Sequence, residues 1–202
     1  MKKVIIATKN KGKLAELEEP LQELGFSVEI LPADYPEIEE NGASFEENAL
    51  IKARFVSRDL NCIAIADDSG ICVDYLDGNP GIFSARYAND YVLLPGETKD
   101  QANNRKLLHL MRDVPMEKRQ CAFHCAMAVV FPDGKEIIAH KTWEGRLLFE
   151  ARGTNGFGYD PLFLDEELQL TGAQMEKSVK MGRSHRAKAL QAVIEAFRSL
   201  EK

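Results

Sequence analysis

The chain has 202 residues, 45% of them hydrophobic and 29% charged, with a formal net charge of −6. That is ordinary globular composition, long enough to bury a sizeable core. The acidic balance excludes a general nucleic-acid binder, which needs a basic surface to displace counterions. No run approaches the ~20 apolar residues of a membrane span, and the apolar part of Met1–Ala7 is too short for a signal peptide. The expectation is a single soluble, cytoplasmic α/β domain over residues 1–202, with no membrane partner.

Val4 to Thr8 reads as a short buried strand. The cationic loop Lys9-Asn10-Lys11-Gly12-Lys13 follows, and then Leu14, Leu17, Leu21 and Leu24 recur at helical spacing. Pro20 is expected to kink that helix or end it early. Backbone N–H groups at a helix start favour an anion, so this loop is a phosphate candidate; there is no GxxxxGK[ST], so a P-loop is not the device. Val28 to Leu31 is a second strand, followed by an acidic stretch with Glu37, Glu39 and Glu40. Ser44 and Glu47 form a capping box for a helix through about Asp59, with Ala49, Ala53, Val56 and Leu60 on one side. Lys52 and Arg54 stand on it, facing either a ligand or water.

Cys62 to Ala66 is an apolar run that ends in Asp67-Asp68-Ser69-Gly70, read as a turn before the next apolar run, Ile71 to Leu76. Two acids at the end of a buried strand are costly unless cations or donors meet them. A loop rich in glycine and proline, Gly78 to Tyr87, carries Arg86. Thr98 and Gln101 form another capping box, and the helix behind it shows Leu107, Leu108, Leu110 and Met111 as its apolar face. Gln120 to Phe131 and Lys135 to Trp143 read as a long hairpin around Pro132-Asp-Gly134. Cys121 and Cys125 alternate with Phe123 on one strand face, opposite His124, so these thiols are read as structural and not as zinc ligands.

Gly153-Thr-Asn-Gly156-Phe-Gly158-Tyr-Asp160-Pro161 is a glycine-rich loop without the βαβ setting of a dinucleotide fingerprint. Its glycines permit close backbone approach, and its two aromatics offer flat faces. Lys177, Lys180, Arg183, His185, Arg186 and Lys188 are the densest basic run. Ser184 is the N-cap of a last helix carrying Leu190, Val193, Ile194 and Phe197. His185 and Arg186 stand in its first turn, where cations oppose the helix dipole unless an anion is present. One acidic centre among cationic loops suits a phosphate-bearing substrate with a hard divalent cation such as Mg²⁺ between it and the acids.

Six segments, in order, resemble the inosine/xanthosine triphosphate pyrophosphatase family. They are Thr8 to Glu16, Gly42 to Ala53, Ala66 to Gly70, Pro80 to Tyr87, Gly156 to Pro161 and Ser184-His185-Arg186. The resemblance implies an elongated two-lobed α/β fold with a long central mixed β-sheet flanked by helices and a nucleotide cleft between lobes. It also implies a homodimer using Mg²⁺ to cleave ITP, dITP or XTP to monophosphate and pyrophosphate. By that resemblance Asp68 is the general base and, with Glu39, a metal ligand. Thr8, Lys9, Asn10, Lys11, Gly12, Lys13 and Lys52 handle the triphosphate, and Ser69 touches substrate. Phe157, Gly158, Tyr159, Asp160, Lys177, His185 and Arg186 surround the purine and phosphate.

Two departures stand out. Lys9 occupies a position where the family usually has a small residue, and the stretch from Lys177 to His185 is longer than the usual pattern. Glu39 against Glu40, and Lys177 against Lys180, stay open. The alternatives are a related septum-inhibition pyrophosphatase acting on modified pyrimidines, whose N-terminal Ser-x-Ser-Pro-Arg-Arg-type loop is absent here, and a non-catalytic nucleotide-binding module. A pure binder fits poorly with two adjacent carboxylates, which repel phosphate. Selectivity for a 6-oxo purine needs donors that leave a 6-amine badly paired, a penalty of ~1–3 kcal/mol per contact.

Overall fold

The computed structural model describes residues 2–199. Strands β1 (Lys3–Ile6), β2 (Ser27–Ile30), β3 (Ile63–Val73), β4 (Gln120–Val130), β5 (Glu136–Leu147), β6 (Phe163–Asp165) and β7 (Leu170–Thr171) form one sheet in the order β2-β1-β3-β4-β5-β6-β7. β1 lies parallel to both β2 and β3, whereas β5–β6 and β6–β7 are antiparallel. Among the described residues five α-helices accompany the sheet: α1 (Lys11–Glu23), α2 (Phe45–Leu60), α3 (Lys99–Leu110), α4 (Lys177–Met181) and α5 (His185–Ser199). The α/β class with a mixed sheet expected from the sequence is what is found.

The chain divides into two compact units. The first comprises residues 1–68, 125–141 and 185–202. Its core joins Val4, Ile6 and Ile65 of the sheet to Leu17 and Leu21 of α1 and to Leu190, Val193, Ile194 and Phe197 of α5. The second comprises residues 69–124 and 142–184. Ile71, Val73, Leu107, Met111, Phe123, Trp143, Leu162 and Phe163 fill its core.

Local chemistry accounts for most element ends. Asn10 caps α1 by accepting from the Lys13 amide at 3.1 Å. Ser44 caps α2 through the Glu47 amide at 3.2 Å, and Asn61 ends that helix in the left-handed conformation. The Thr98–Gln101 capping box is closed in both directions. In the box at α2, Glu47 reaches one residue further back, to the Ala43 amide at 2.6 Å. The β4–β5 hairpin closes through Phe131 and Lys135, with Gly134 at φ +85°.

Three expectations are corrected. The early end offered for α1 at Pro20 is not found, since the helix runs on to Glu23: Leu17 and Leu21, both fully buried, pin it on either side of the proline. Leu110 is exposed, and Leu107 and Met111 carry the apolar face of α3. The largest correction concerns Asp67-Asp68-Ser69-Gly70, which is no turn but the middle of an 11-residue strand. Gly70 makes this continuity possible, since a Cβ there would collide with the Gly81 carbonyl and the Ser84 hydroxyl. Ser84 Oγ in turn accepts from the Ile71 amide at 3.0 Å and donates to the Gly81 carbonyl at 2.6 Å.

Candidate active site

Because β3 is a strand through its acids, Asp67 and Asp68 point to opposite faces. Both are buried, at 1% and 5% exposure, and each meets a different set of partners. Asp67 Oδ2 pairs with Lys13 Nζ at 3.0 Å and with Arg186 Nε at 3.2 Å, and the Cys125 thiol lies 3.9 Å away. Arg186 is itself buried and gives its other arm to Glu16. Asp68 Oδ2 accepts from Asn48 Nδ2 at 3.0 Å, and Oδ1 stands 4.0 Å from Lys52 Nζ. Lys52 also donates to the Asp67 carbonyl at 2.8 Å and pairs with Glu40 Oε1 at 2.5 Å.

These surroundings push the two carboxylates apart. Burial raises the pKa of Asp67, but the charges of Lys13, Arg186 and Lys52 outweigh it and hold the group well below the usual range. For Asp68 burial wins: its pKa is raised, Glu40 adding to the effect while Lys52, Lys13 and Asn48 oppose it. Neighbouring acids separated in this way fall into two roles, one permanently ionised and one able to take a proton. Arg186 is pushed further up, since the Asp67 and Glu16 charges overcome its burial. Burial, with Asp67 adding, pushes the Cys125 thiol up, so it is no nucleophile.

The first turn of α1 contains no acid, leaving the Lys11 and Gly12 region favourable to an anion. Thr8 Oγ1 accepts from the Asn10 amide at 3.2 Å, shaping the approach to that turn. Lys9 behaves differently from its loop neighbours. Its ammonium donates to the carbonyls of Ala33 (2.9 Å) and Tyr35, tying down the segment before the acidic stretch. Arg54 pairs with Glu136 at 2.6 and 2.8 Å.

Of the two candidate acids, Glu40 is half-buried against Lys52 and acts on Asp68, whereas Glu39 is exposed. Among the described residues no cluster of three or more His, Cys, Asp or Glu side chains gathers as a metal cage. Asp68 and Glu40 nevertheless suit Mg²⁺, which takes hard oxygens, needs only one or two carboxylates and fills the rest of its shell with water and phosphate.

The second unit holds the glycine-rich loop. Gly153, Gly156 and Gly158 all have positive φ, and a Cβ on Gly156 would collide with the Asp160 carboxylate. Asp160 Oδ2 accepts from the Phe157 amide at 2.8 Å and from Lys180 Nζ at 2.6 Å. The Lys180 ammonium also lies 5.4 Å from the centre of the Phe157 ring. Gly158 donates to Asp100 (2.9 Å) and accepts from Asn104 (3.0 Å), and the Tyr159 hydroxyl donates to the Ser84 carbonyl at 2.8 Å. Phe157 and Gly158 keep partial exposure, while Tyr159 and Asp160 are buried. Lys180, and not the exposed Lys177, is therefore the lysine integrated with this loop.

His185 and Arg186 are both buried at the start of α5, and Ser69 is half-buried in β3. The unfavourable position of Arg186 in a first helical turn is answered by protein carboxylates, Asp67 and Glu16, where the sequence alone points to a ligand anion. Sequence reasoning gives no role to Glu16 or Asn48. A signal for Asn48 exists: it lies four residues before Lys52, on the same face of α2.

The chain matches the model of the Ham1 family over residues 4–196. It is 48% identical over 197 residues to the dITP/XTP pyrophosphatase of Nitratidesulfovibrio vulgaris, covering 96% of this chain and 95% of that one. It is 46% identical over 201 residues to the dITP/XTP pyrophosphatase of Bacillus cereus, covering 96% and 94%. Among solved structures it is similar to the Ham1 protein of Staphylococcus aureus, with TM-score 0.82, 37% identity and full coverage of both chains. It is also similar to a HAM1 protein from Coxiella burnetii, with TM-score 0.84, 35% identity and coverage of 98% and 100%.

Proposed function

We propose, from the premise that the chain belongs to the Ham1 family, that it is an enzyme hydrolysing non-standard purine nucleoside triphosphates. The substrates are ITP, dITP and XTP, and the products are the monophosphate and pyrophosphate. The observation that carries this reading is the placement of the two acids on β3: Asp67 is paired with Lys13 and Arg186, while Asp68 is oriented by Asn48 beside Lys52 and Glu40. The names of the similar relatives support the substrate class.

In this reading Asp68 takes the proton of the attacking water as the α–β phosphoanhydride bond breaks, and pyrophosphate departs. Asn48 fixes the orientation of Asp68 through Oδ2. Lys52 and Lys13, with the first-turn amides of α1, attract the phosphate chain and offset its charge. Mg²⁺ held by Asp68 and Glu40 would supply Lewis-acid neutralisation of phosphate oxygens. Asp67 keeps Lys13 in place and stays ionised throughout.

The partly exposed ring of Phe157 and the neighbouring backbone of Gly158 are assigned to the purine. Homodimerisation and a cytoplasmic location belong to the same reading. The four cysteines are free, as suits a reducing compartment. No helix among the described residues is long and apolar enough to cross a membrane.

The test is a panel of ITP, XTP, ATP and GTP assayed for pyrophosphate and orthophosphate with and without Mg²⁺. Pyrophosphate from ITP and XTP, in the presence of metal, is the expected result. Orthophosphate release, or equal turnover of ATP, would contradict the assignment.

A further inference from the structure

Two of the cations of the α4 region, Lys180 and Arg183, grip the two ends of one short segment. Lys180 pairs with Asp160, and Arg183 pairs with Asp165 through Nε to Oδ2 at 2.8 Å and Nη2 to Oδ1 at 3.3 Å. Asp160 ends the glycine-rich loop and Asp165 ends β6, so residues 160–165 are held at both ends. α4 has only five residues, far too few to be stable by itself, so tertiary anchors set its position. The two anchors are rigidly related: the amides of Arg183 and Ser184 both donate to the Lys180 carbonyl, at 3.1 and 2.9 Å.

The Asp165 end is tied into the core. Its carboxylate is 2% exposed and accepts from Trp143 Nε1 at 2.9 Å and from the amides of Glu167 and Leu168 at 3.0 Å each. Trp143 in turn packs in the core against Phe123 and Phe163. The Asp160 end carries the loop, since the same oxygen that receives Lys180 also receives the Phe157 amide. A fork-shaped guanidinium on a carboxylate defines direction as well as distance. Arg183 lies in the stretch where this sequence departs from the resemblance drawn from its motifs.

We infer that Arg183 is a positioning residue: its bidentate pair with Asp165 sets α4, and through Lys180 and Asp160 it sets the Phe157 loop. That this loop meets the purine rests on the function proposed above; that Arg183 orders the loop does not. Arg183 touches no substrate in this scheme. Its effect is on how well the loop is organised before substrate arrives, and so on KM more than on kcat.

The test combines hydrogen exchange at the Phe157 amide in the full-length protein without ligand with steady-state kinetics on ITP. Arg183→Ala is expected to speed that exchange roughly tenfold and raise KM for ITP by a similar factor, with kcat within about twofold, the size of one lost charge-assisted hydrogen-bond anchor. Arg183→Lys, which keeps the charge but not the fork, should recover part of both. Glu167→Gln, which removes only the charge of the exposed arm at 2.6 Å, should leave both near wild type. Unchanged exchange in Arg183→Ala would overturn the inference, as would a fall in kcat at constant KM. Wild-type protein inactive on ITP would instead refute the proposed function, with the exchange comparison still deciding the role of Arg183. If Arg183→Ala does not fold, Arg183→Lys is compared with wild type in its place. Faster exchange of smaller amplitude then supports the inference, and unchanged exchange overturns it.

Discussion

The two faces of β3 differ by one residue in sequence and by nearly everything in chemistry. On one face Asp67 is enclosed by Lys13, Arg186 and, through Arg186, Glu16. On the other Asp68 has an amide from Asn48, a more distant Lys52 and the like charge of Glu40. Burial is similar, so it is the supply of cations that separates a carboxylate that organises the site from one able to accept a proton. The site is thus built as a scaffold half and a reactive half on a single strand.

The largest stability effect is expected at the scaffold half. Asp67→Asn leaves buried Arg186 with Glu16 alone and half-buried Lys13 without a carboxylate partner, a loss of up to roughly 3–5 kcal/mol in denaturant unfolding. Asp68→Asn removes a carboxylate that burial already disfavours, and its unfolding midpoint should stay close to wild type. Equal destabilisation of the two variants would break the distinction between the faces.

The second unit repeats the comparison with two lysines. Lys180→Ala removes the counter-charge of buried Asp160 and should raise KM for ITP about tenfold, whereas exposed Lys177→Ala should change it less than about twofold. An effect of Lys177→Ala equal to that of Lys180→Ala would remove the distinction between the two lysines.

Asp165 tests whether a buried, cation-paired carboxylate behaves as Asp67 does. Burial raises its pKa, but backbone donors, Arg183 and Trp143 outweigh this and lower it. A lowered folded value means its stabilising contribution is present above the ordinary aspartate value of 3.8 and is lost as pH falls through the folded value. Trp143 is the only tryptophan and donates to this carboxylate, so its fluorescence reports the event directly. The emission should hold steady down to pH 3.8 and change below it; a transition above that pH would contradict the pairing.

The smallest effect is expected at Lys9. Its ammonium serves two backbone carbonyls, so Lys9→Ala should cost about 1 kcal/mol of stability and leave KM for ITP within about twofold. A large loss of nucleotide affinity would restore Lys9 to the phosphate-binding set.

Much of this is legible in the sequence because it depends on local chemistry. The N-caps Ser44 and Thr98, the hairpin turn and the apolar face of α5 follow from residues within a few positions of one another. The Asp-Asp-Ser-Gly stretch reads as a turn because its strand conformation depends on distant partners. Lys13 comes from α1, Lys52 and Asn48 from α2 and Arg186 from α5, and only together do they make two acids tolerable in a buried strand. Arg186 stands out in the sequence as a cation needing an anion, yet nothing local shows that the anion is Asp67, 119 residues away. Lys180 and Lys177 are equally basic in sequence, and only the placement of Asp160 separates them.

The central claim is that Asp68 accepts the proton in pyrophosphate release. The most direct measurement is kcat for ITP in Asp68→Asn beside wild type, with Mg²⁺ and with circular dichroism confirming the fold. A fall of about 10²–10⁴-fold, the range of a positioned general base, is the predicted result. A folded Asp68→Asn enzyme that releases pyrophosphate at the wild-type rate would contradict it.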